Sequence, residues 1–316
     1  MGRNQSSGGP SFQPSFPGSG RLPWLTNLLV ATKLNVGGAD AVNAGAALAE
    51  RTGAKLSVIS VVEPPGSPER LPPAEGRISE WLDSQRSRVR KFVEKELDQT
   101  GFKPRLVHVS SGDPTSLIPI FAELSASDLL LVGTHRSSGF ESILAGSPGE
   151  QIVKHSGVPV LAATRGGGGP FKRILIAVDL SIHSQPLLDW AGRLAWADGS
   201  EVRVVHSEGP LKRLWFSLTF RGYRIFRGRA WRRFIRRFRE SEFPGHPQVI
   251  LRKGHPGRAV LREARKWDAD LLVIGMRRLS FPSKARLGRT AKYVLRHGGR
   301  SILAVPNQRS GKRPLF

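Results

Sequence analysis

The stretch LLLVGTHRSSGFESILAGSPGEQIVKHSGVPVLAAT, residues 129–164, returns in outline as LLVIGMRRLSFPSKARLGRTAKYVLRHGGRSILAVP at residues 271–306. In each copy an apolar run of strand length ends at a glycine, Gly133 or Gly275. A second glycine, Gly146 or Gly288, follows thirteen residues later. Gly133 closes Leu129–Val132 because a tight turn there needs a residue able to take positive φ. Gly146-Ser147 opens a helical pattern with Ile152, Val153 and His155; Gly157 stops it, and residues 158–163 are again strand-like. Equal spacing between flanking strands of the same kind marks a tandem repeat, so the chain must build two similar units. A glycine and a serine at the mouth of a helix leave backbone N–H groups beside the positive end of the helix dipole. Such an arrangement suits anions, usually phosphate.

At these residues the chain resembles the universal stress protein family, whose nucleotide signature is Gly-x2-Gly-x9-Gly-Ser/Thr. Gly133, Gly146 and Ser147 sit on that signature, with Arg136 where its second glycine belongs. In the second half Gly275 and Gly288 match, Arg278 replaces the second glycine, and Arg289 replaces the Ser/Thr, with Thr290 next. The resemblance covers about residues 25–306. It implies an α/β fold: two tandem flavodoxin-like, Rossmann-type α/β/α domains, each with a mainly parallel five-stranded sheet. It also implies that the edge strands, residues 158–164 and 301–306, pair the two halves intramolecularly. The implied ligand is ATP or another adenine nucleotide, with magnesium only alongside it.

In that family the first strand ends in an aspartate that meets adenine and ribose. The second half has Asp179 there, with Ser181 two residues on; the first half has Lys33 and Asn35. A carboxylate accepts hydrogen bonds where lysine only donates, so the first half keeps the phosphate end and loses the nucleoside end. The second half does the opposite. The candidate nucleotide contacts are Gly133, His135, Arg136, Gly146 and Ser147 in the first half, and Asp179, Ser181, Gly275, Arg278, Gly288 and Thr290 in the second. The arginines read two ways. Their side chains fill volume that glycine would leave to phosphate, yet guanidinium is itself a bidentate phosphate partner. Gly133 and Gly146 also read as plain turn glycines.

Catalysis finds little support. There is no Ser/His/Asp spacing, no paired-carboxylate motif and no Walker lysine after Gly146 or Gly288. Any ATP hydrolysis would be slow and secondary. With no cysteine, a disulfide framework, a thiolate metal site and a cysteine nucleophile are all excluded, and the eight histidines show no metal-ligand spacing. No apolar run reaches the length of a spanning helix, and the expectation is a cytoplasmic protein.

Charge separates the two halves. Residues 1–165 carry 17 Lys+Arg against 15 Asp+Glu, net +2; residues 166–316 carry 32 against 10, net +22. Residues 211–239 concentrate that excess: eleven Lys+Arg, no acid and eight aromatics. Trp231, Phe234, Ile235 and Phe238 fall on one helical face, with Arg232, Arg233, Arg236, Arg237 and Arg239 over the rest. An ordinary sheet-covering helix with a solvated basic face accounts for much of this pattern. The excess of aromatics and arginines also fits docking on an anionic lipid surface at the inner face of the membrane, or on nucleic acid. Arg224, Arg227, Arg232, Arg233, Arg236 and Arg237 would make that contact. A nucleotide-free scaffold that docks through this half is the alternative to a nucleotide-binding stress regulator.

Along the chain, the Gly/Ser/Pro-rich residues 1–20 read as a disordered tail. Residues 21–165 form the first domain, 166–170 a glycine linker, 171–307 the second, basic domain, and 308–316 a basic tail. Strands alternate with helices in both halves in the same order, which predicts βαβ units and a parallel sheet covered on both faces. The oligomeric state stays open, a homo-oligomer included.

Overall fold

In the computed structural model the described residues are 24–63, 75–98, 100–137, 140–142, 146–180, 184–208, 243–276 and 287–306, together with 232, 234, 236 and 238. For 75–78, 135–137, 140–142 and 208 only the backbone is described. Both tails, the proline-rich segment 64–74, most of 211–239, Ser181 and Arg278 lie outside these residues.

The first half runs β1 (Asn27–Ala31), α1 (Val36–Thr52), β2 (Lys55–Val62), α2 (Glu75–Leu97), β3 (Leu106–Ser111), α3 (Pro114–Leu124) and β4 (Leu129–Gly133). A small hairpin follows, β5 (His135–Ser137) and β6 (Phe140–Ser142), then α4 (Pro148–His155) and β7 (Val160–Ala163). The second half repeats the plan with β8 (Arg173–Val178), α5 (Gln185–Asp198), β9 (Glu201–Glu208) and β10 (Gln248–Lys253). It continues with α6 (Pro256–Trp267), β11 (Leu271–Met276), α7 (Arg289–His297) and β12 (Ser301–Pro306). The stretch between Gly133 and Gly146 thus contains a two-stranded antiparallel hairpin.

Within each half the five strands are parallel and lie in the order 3-2-1-4-5 counted along that half: β3-β2-β1-β4-β7 and β10-β9-β8-β11-β12. The two sheets are continuous. β7 pairs antiparallel with β12, with Leu161 opposite Leu303, to give one sheet of ten strands. Strand residues alternate between two cores. Leu28 and Val30 face α1 and α2, and Leu29 and Ala31 face α3 and α4. α5 shares the first core and α6 and α7 the second, giving three layers across the molecule.

Helix starts follow the local chemistry. Asn35 caps α1 by accepting from the Gly38 N–H, and Asp113 caps α3 by accepting from the Thr115 N–H. α3, α4, α5 and α6 each carry proline in their first turn, where its missing N–H costs nothing. Helix is also present at Arg232, Phe234, Arg236 and Phe238, where Phe234 is buried and stacks on Phe238 while Arg232 and Arg236 are exposed.

The run of glycines at 166–169, expected as a linker, is packed. Gly167 and Gly168 are buried, and a Cβ at Gly168 would press on the backbone of Ala44 in α1. Arg51 of α1 donates to the Gly168 carbonyl at 3.0 Å and pairs with Asp198 of α5. Trp24 meets Trp190 edge-on at 4.6 Å, with the Arg193 guanidinium over the Trp24 ring. The glycines serve close packing between halves rather than freedom.

Candidate functional site

In an open parallel sheet the chain leaves opposite faces on either side of the point where strand order reverses, which opens a crevice at the carboxyl ends of those strands. In the first half that point lies between β1 and β4. A cleft is found there, lined by Thr32 and Lys33 after β1, Gly37 and Gly38 in α1, Gly133 at the end of β4 and Thr134 after it, and Ser147 to Gly149 at α4. Its floor is a backbone-to-backbone contact. A Cβ on Gly133 would run into the Gly37 carbonyl, and one on Gly37 would come within 2.7 Å of the Thr134 carbonyl oxygen. Gly133 is thus required by the approach of α1 to β4.

The wall at α4 is a helix N-terminus. Gly146 has φ +73, and Ser147 caps the helix, its hydroxyl accepting from the Glu150 N–H at 3.3 Å. The Glu150 carboxylate turns back and accepts from the Gly146 N–H at 2.9 Å. Pro148 has no N–H, so the donors left in this first turn are those of Ser147 and Gly149. Glu150 is 3 % exposed. Arg296 of α7 holds it with Nε at 3.1 Å and Nη2 at 2.9 and 3.0 Å, and Lys292 adds Nζ at 3.5 Å. Burial works to raise the Glu150 carboxyl, but the Gly146 N–H, Arg296 and Lys292 outweigh it and hold the group below the ordinary carboxylate range.

The matching place in the second half is looser. Gly275 is the penultimate residue of β11 and is exposed, and a Cβ there would meet only Leu187 side-chain carbons at 3.4 and 3.6 Å. Gly288 caps α7 without a side-chain hydrogen bond, Arg289 is exposed, and Thr290 is half-buried in the first turn. Asp179 follows β8 and accepts from the Ser184 hydroxyl at 3.4 Å.

Of the residues singled out from sequence, Gly133, Gly146 and Ser147 thus gather around the first-half crevice, with Gly133 and Ser147 lining the cleft itself. His135 and Arg136 lie in β5, opposite Ser142 and Glu141, and their side chains are outside the described residues. Asp179, Gly275, Gly288 and Thr290 stand at the second half's corresponding strand and helix ends. Arg232 and Arg236 are exposed, while Arg224, Arg227, Arg233 and Arg237 fall outside the described residues. Sequence reading passed over Glu150, Gly37, Lys292 and Arg296. Ser147-x-x-Glu150 was legible as a capping box. Arg296, 146 residues away, had no local signal. Among the described residues no cluster of three or more His, Asp or Glu could hold a metal ion, and no helix is long and apolar enough to cross a membrane.

Two flavodoxin-like, Rossmann-type halves with a crevice at the switch point define the class of the molecule. The model of the Universal stress protein family matches residues 25–164 and again 170–306, and the chain belongs to that family, in tandem form. Two universal stress proteins of Methanocaldococcus jannaschii are 36% identical over 98 residues and 31% identical over 91, each match covering 29% of this chain and 56% of the relative. The chain therefore spans little more than half the length of these relatives. A solved universal stress protein from Archaeoglobus fulgidus superposes with TM-score 0.65 at 20% identity, covering 89% of this chain and 98% of that one. A functionally unknown protein from Pseudomonas aeruginosa gives 0.63 at 17% identity, covering 90% and 94%. At these identities both likenesses speak for the fold.

Proposed function

We propose that this tandem universal stress protein is a stress-response regulator that binds an adenine nucleotide in its first half, without an essential catalytic step. The observation that carries the reading is the cleft at the first-half switch point, where the capped N-terminus of α4, the first turn of α1 and Lys33 converge. Two helix N-termini and one ammonium favour a phosphorylated ligand. Among the described residues no carboxylate lines the cleft, so magnesium would arrive with the phosphates rather than be held by the protein. Domain boundaries at 21–165 and 171–307, separate from the packed glycine turn, are part of this proposal, as is a nucleotide-poor second half. A cytoplasmic location fits it.

The test is twofold. Denatured, purified protein should release an adenine nucleotide detectable by mass spectrometry, and millimolar ATP with magnesium should raise the melting temperature by mass action. An empty protein with an unmoved melting temperature would remove the nucleotide reading.

A second reading has its own observation. On α6, Arg258, Arg262, Arg265 and Lys266 are all exposed, at i, i+4, i+7 and i+8, so the solvent face of this helix is cationic. With exposed Arg232 and Arg236 it supports a scaffold that docks on anionic membrane or nucleic acid. Flotation with anionic liposomes and duplex-DNA titration, each at two salt concentrations, would separate these partners. Binding to neither, or binding indifferent to salt, would end the reading.

A further inference from the structure

We infer that the second half completes the first-half anion site: Arg296 and Lys292 are positioning residues that neutralise Glu150 beneath the Gly146-Ser147 turn. The inference rests on the first-half nucleotide reading and assigns the basic half a part in it.

Glu150 is a buried carboxylate bonded to the N–H of the very glycine that opens the turn. Left bare, it would set a negative charge beside the position the α4 N-terminus offers to phosphate, in surroundings that screen poorly. Its counter-charges come from α7 of the other half, with three Arg296 hydrogen bonds and the Lys292 ammonium. Lys292 stands four residues after Gly288, as Glu150 stands four after Gly146. The two positions are equivalent in the repeat and meet across the junction with opposite charges. Two identical halves would bring like charges together here. The second half carries Arg289 and Lys292 where the first carries Ser147 and Glu150, and what its helix lacks as an anion site it supplies as compensation. β6, within the motif stretch of the first half, also lies beside α7.

The test titrates the full chain and three variants, Arg296→Gln, Glu150→Gln and the double variant, with ATP and magnesium and separately with inorganic pyrophosphate, after circular dichroism shows each folded. The inference expects Arg296→Gln to weaken binding by about 5–150-fold, the usual range of coupling between sites. Glu150→Gln, which keeps an acceptor for the Gly146 N–H but drops the charge, should bind at least as tightly as the parent. The double variant should return to within a few-fold of it. A purely structural role for the cluster would weaken all three alike, and that result would overturn the inference. So would a folded Arg296→Gln with unchanged affinity. Absence of binding by the parent chain would instead overturn the nucleotide reading, and the inference would fall with it. If Arg296→Gln does not fold, Lys292→Gln in the same titration decides in its place: weaker binding supports the inference and unchanged binding overturns it.

Discussion

At the residue scale, two glycines that look alike in sequence are held for different reasons. Gly133 has the Gly37 carbonyl where its Cβ would be, whereas Gly275 has Leu187 carbons at an ordinary contact distance of 3.4 Å. Gly133→Ala must therefore push α1 off β4, at a cost of roughly 1–3 kcal/mol, while Gly275→Ala should be close to neutral. Urea denaturation of the two variants measures the difference, and equal losses would contradict the packing account. Gly133 was expected as a turn glycine with positive φ, but it is the last residue of β4 and does not take that conformation. That it serves an approach of helix to strand was not legible in the sequence, because Gly37 is far away along the chain and says nothing about β4.

At the element scale, helix starts carry much of the local specificity. Asp113 accepts from the Ser116 and Thr115 hydroxyls and the Thr115 N–H at the start of α3, and these bonds lower its carboxyl from 3.8 to about 2. A carboxyl whose folded value lies below its unfolded value stabilises above the unfolded value and loses that contribution as pH falls through the folded one. The parent should thus exceed Asp113→Ala in stability at pH 7, and the gap should close between about pH 4 and pH 2. Urea midpoints across that range check it; a gap persisting at pH 2 would mean that the cap acts otherwise than through its charge. An aspartate directly before a proline is a local cap signal, and Asp113-Pro114 carries it. The hairpin β5–β6 has no such signal, since its strands are three residues each and lie between glycines that suggest only a loop.

At the scale of the whole molecule, the junction ties the halves through every layer. Leu161 faces Leu303 in the sheet, Arg51 pairs with Asp198 on one side, and Glu150 is clasped by Arg296 on the other. One continuous core on each face of a ten-stranded sheet predicts a single cooperative unfolding transition. Leu303→Asp would bury an unpaired charge in the seam, costing about 3–5 kcal/mol, and should split that transition into two. Calorimetry or urea unfolding followed by tryptophan fluorescence would show it. A single transition at an unchanged midpoint would mean that the halves are stable without the seam.

The sequence by itself determined the repeat, the α/β alternation, the parallel strands and the glycine-serine turn before α4. All of these follow from apolar periodicity, turn residues and caps within a few positions of one another. The family resemblance implied that the edge strands pair the two halves; only the tertiary structure decided that the glycine run is a packed turn and that Glu150 at the first-half turn is neutralised by the other half. Each of these depends on groups more than a hundred residues apart meeting at a distance of a few ångströms. Burial then makes an unpaired carboxylate costly and a close-packed glycine irreplaceable, and no local pattern records either condition.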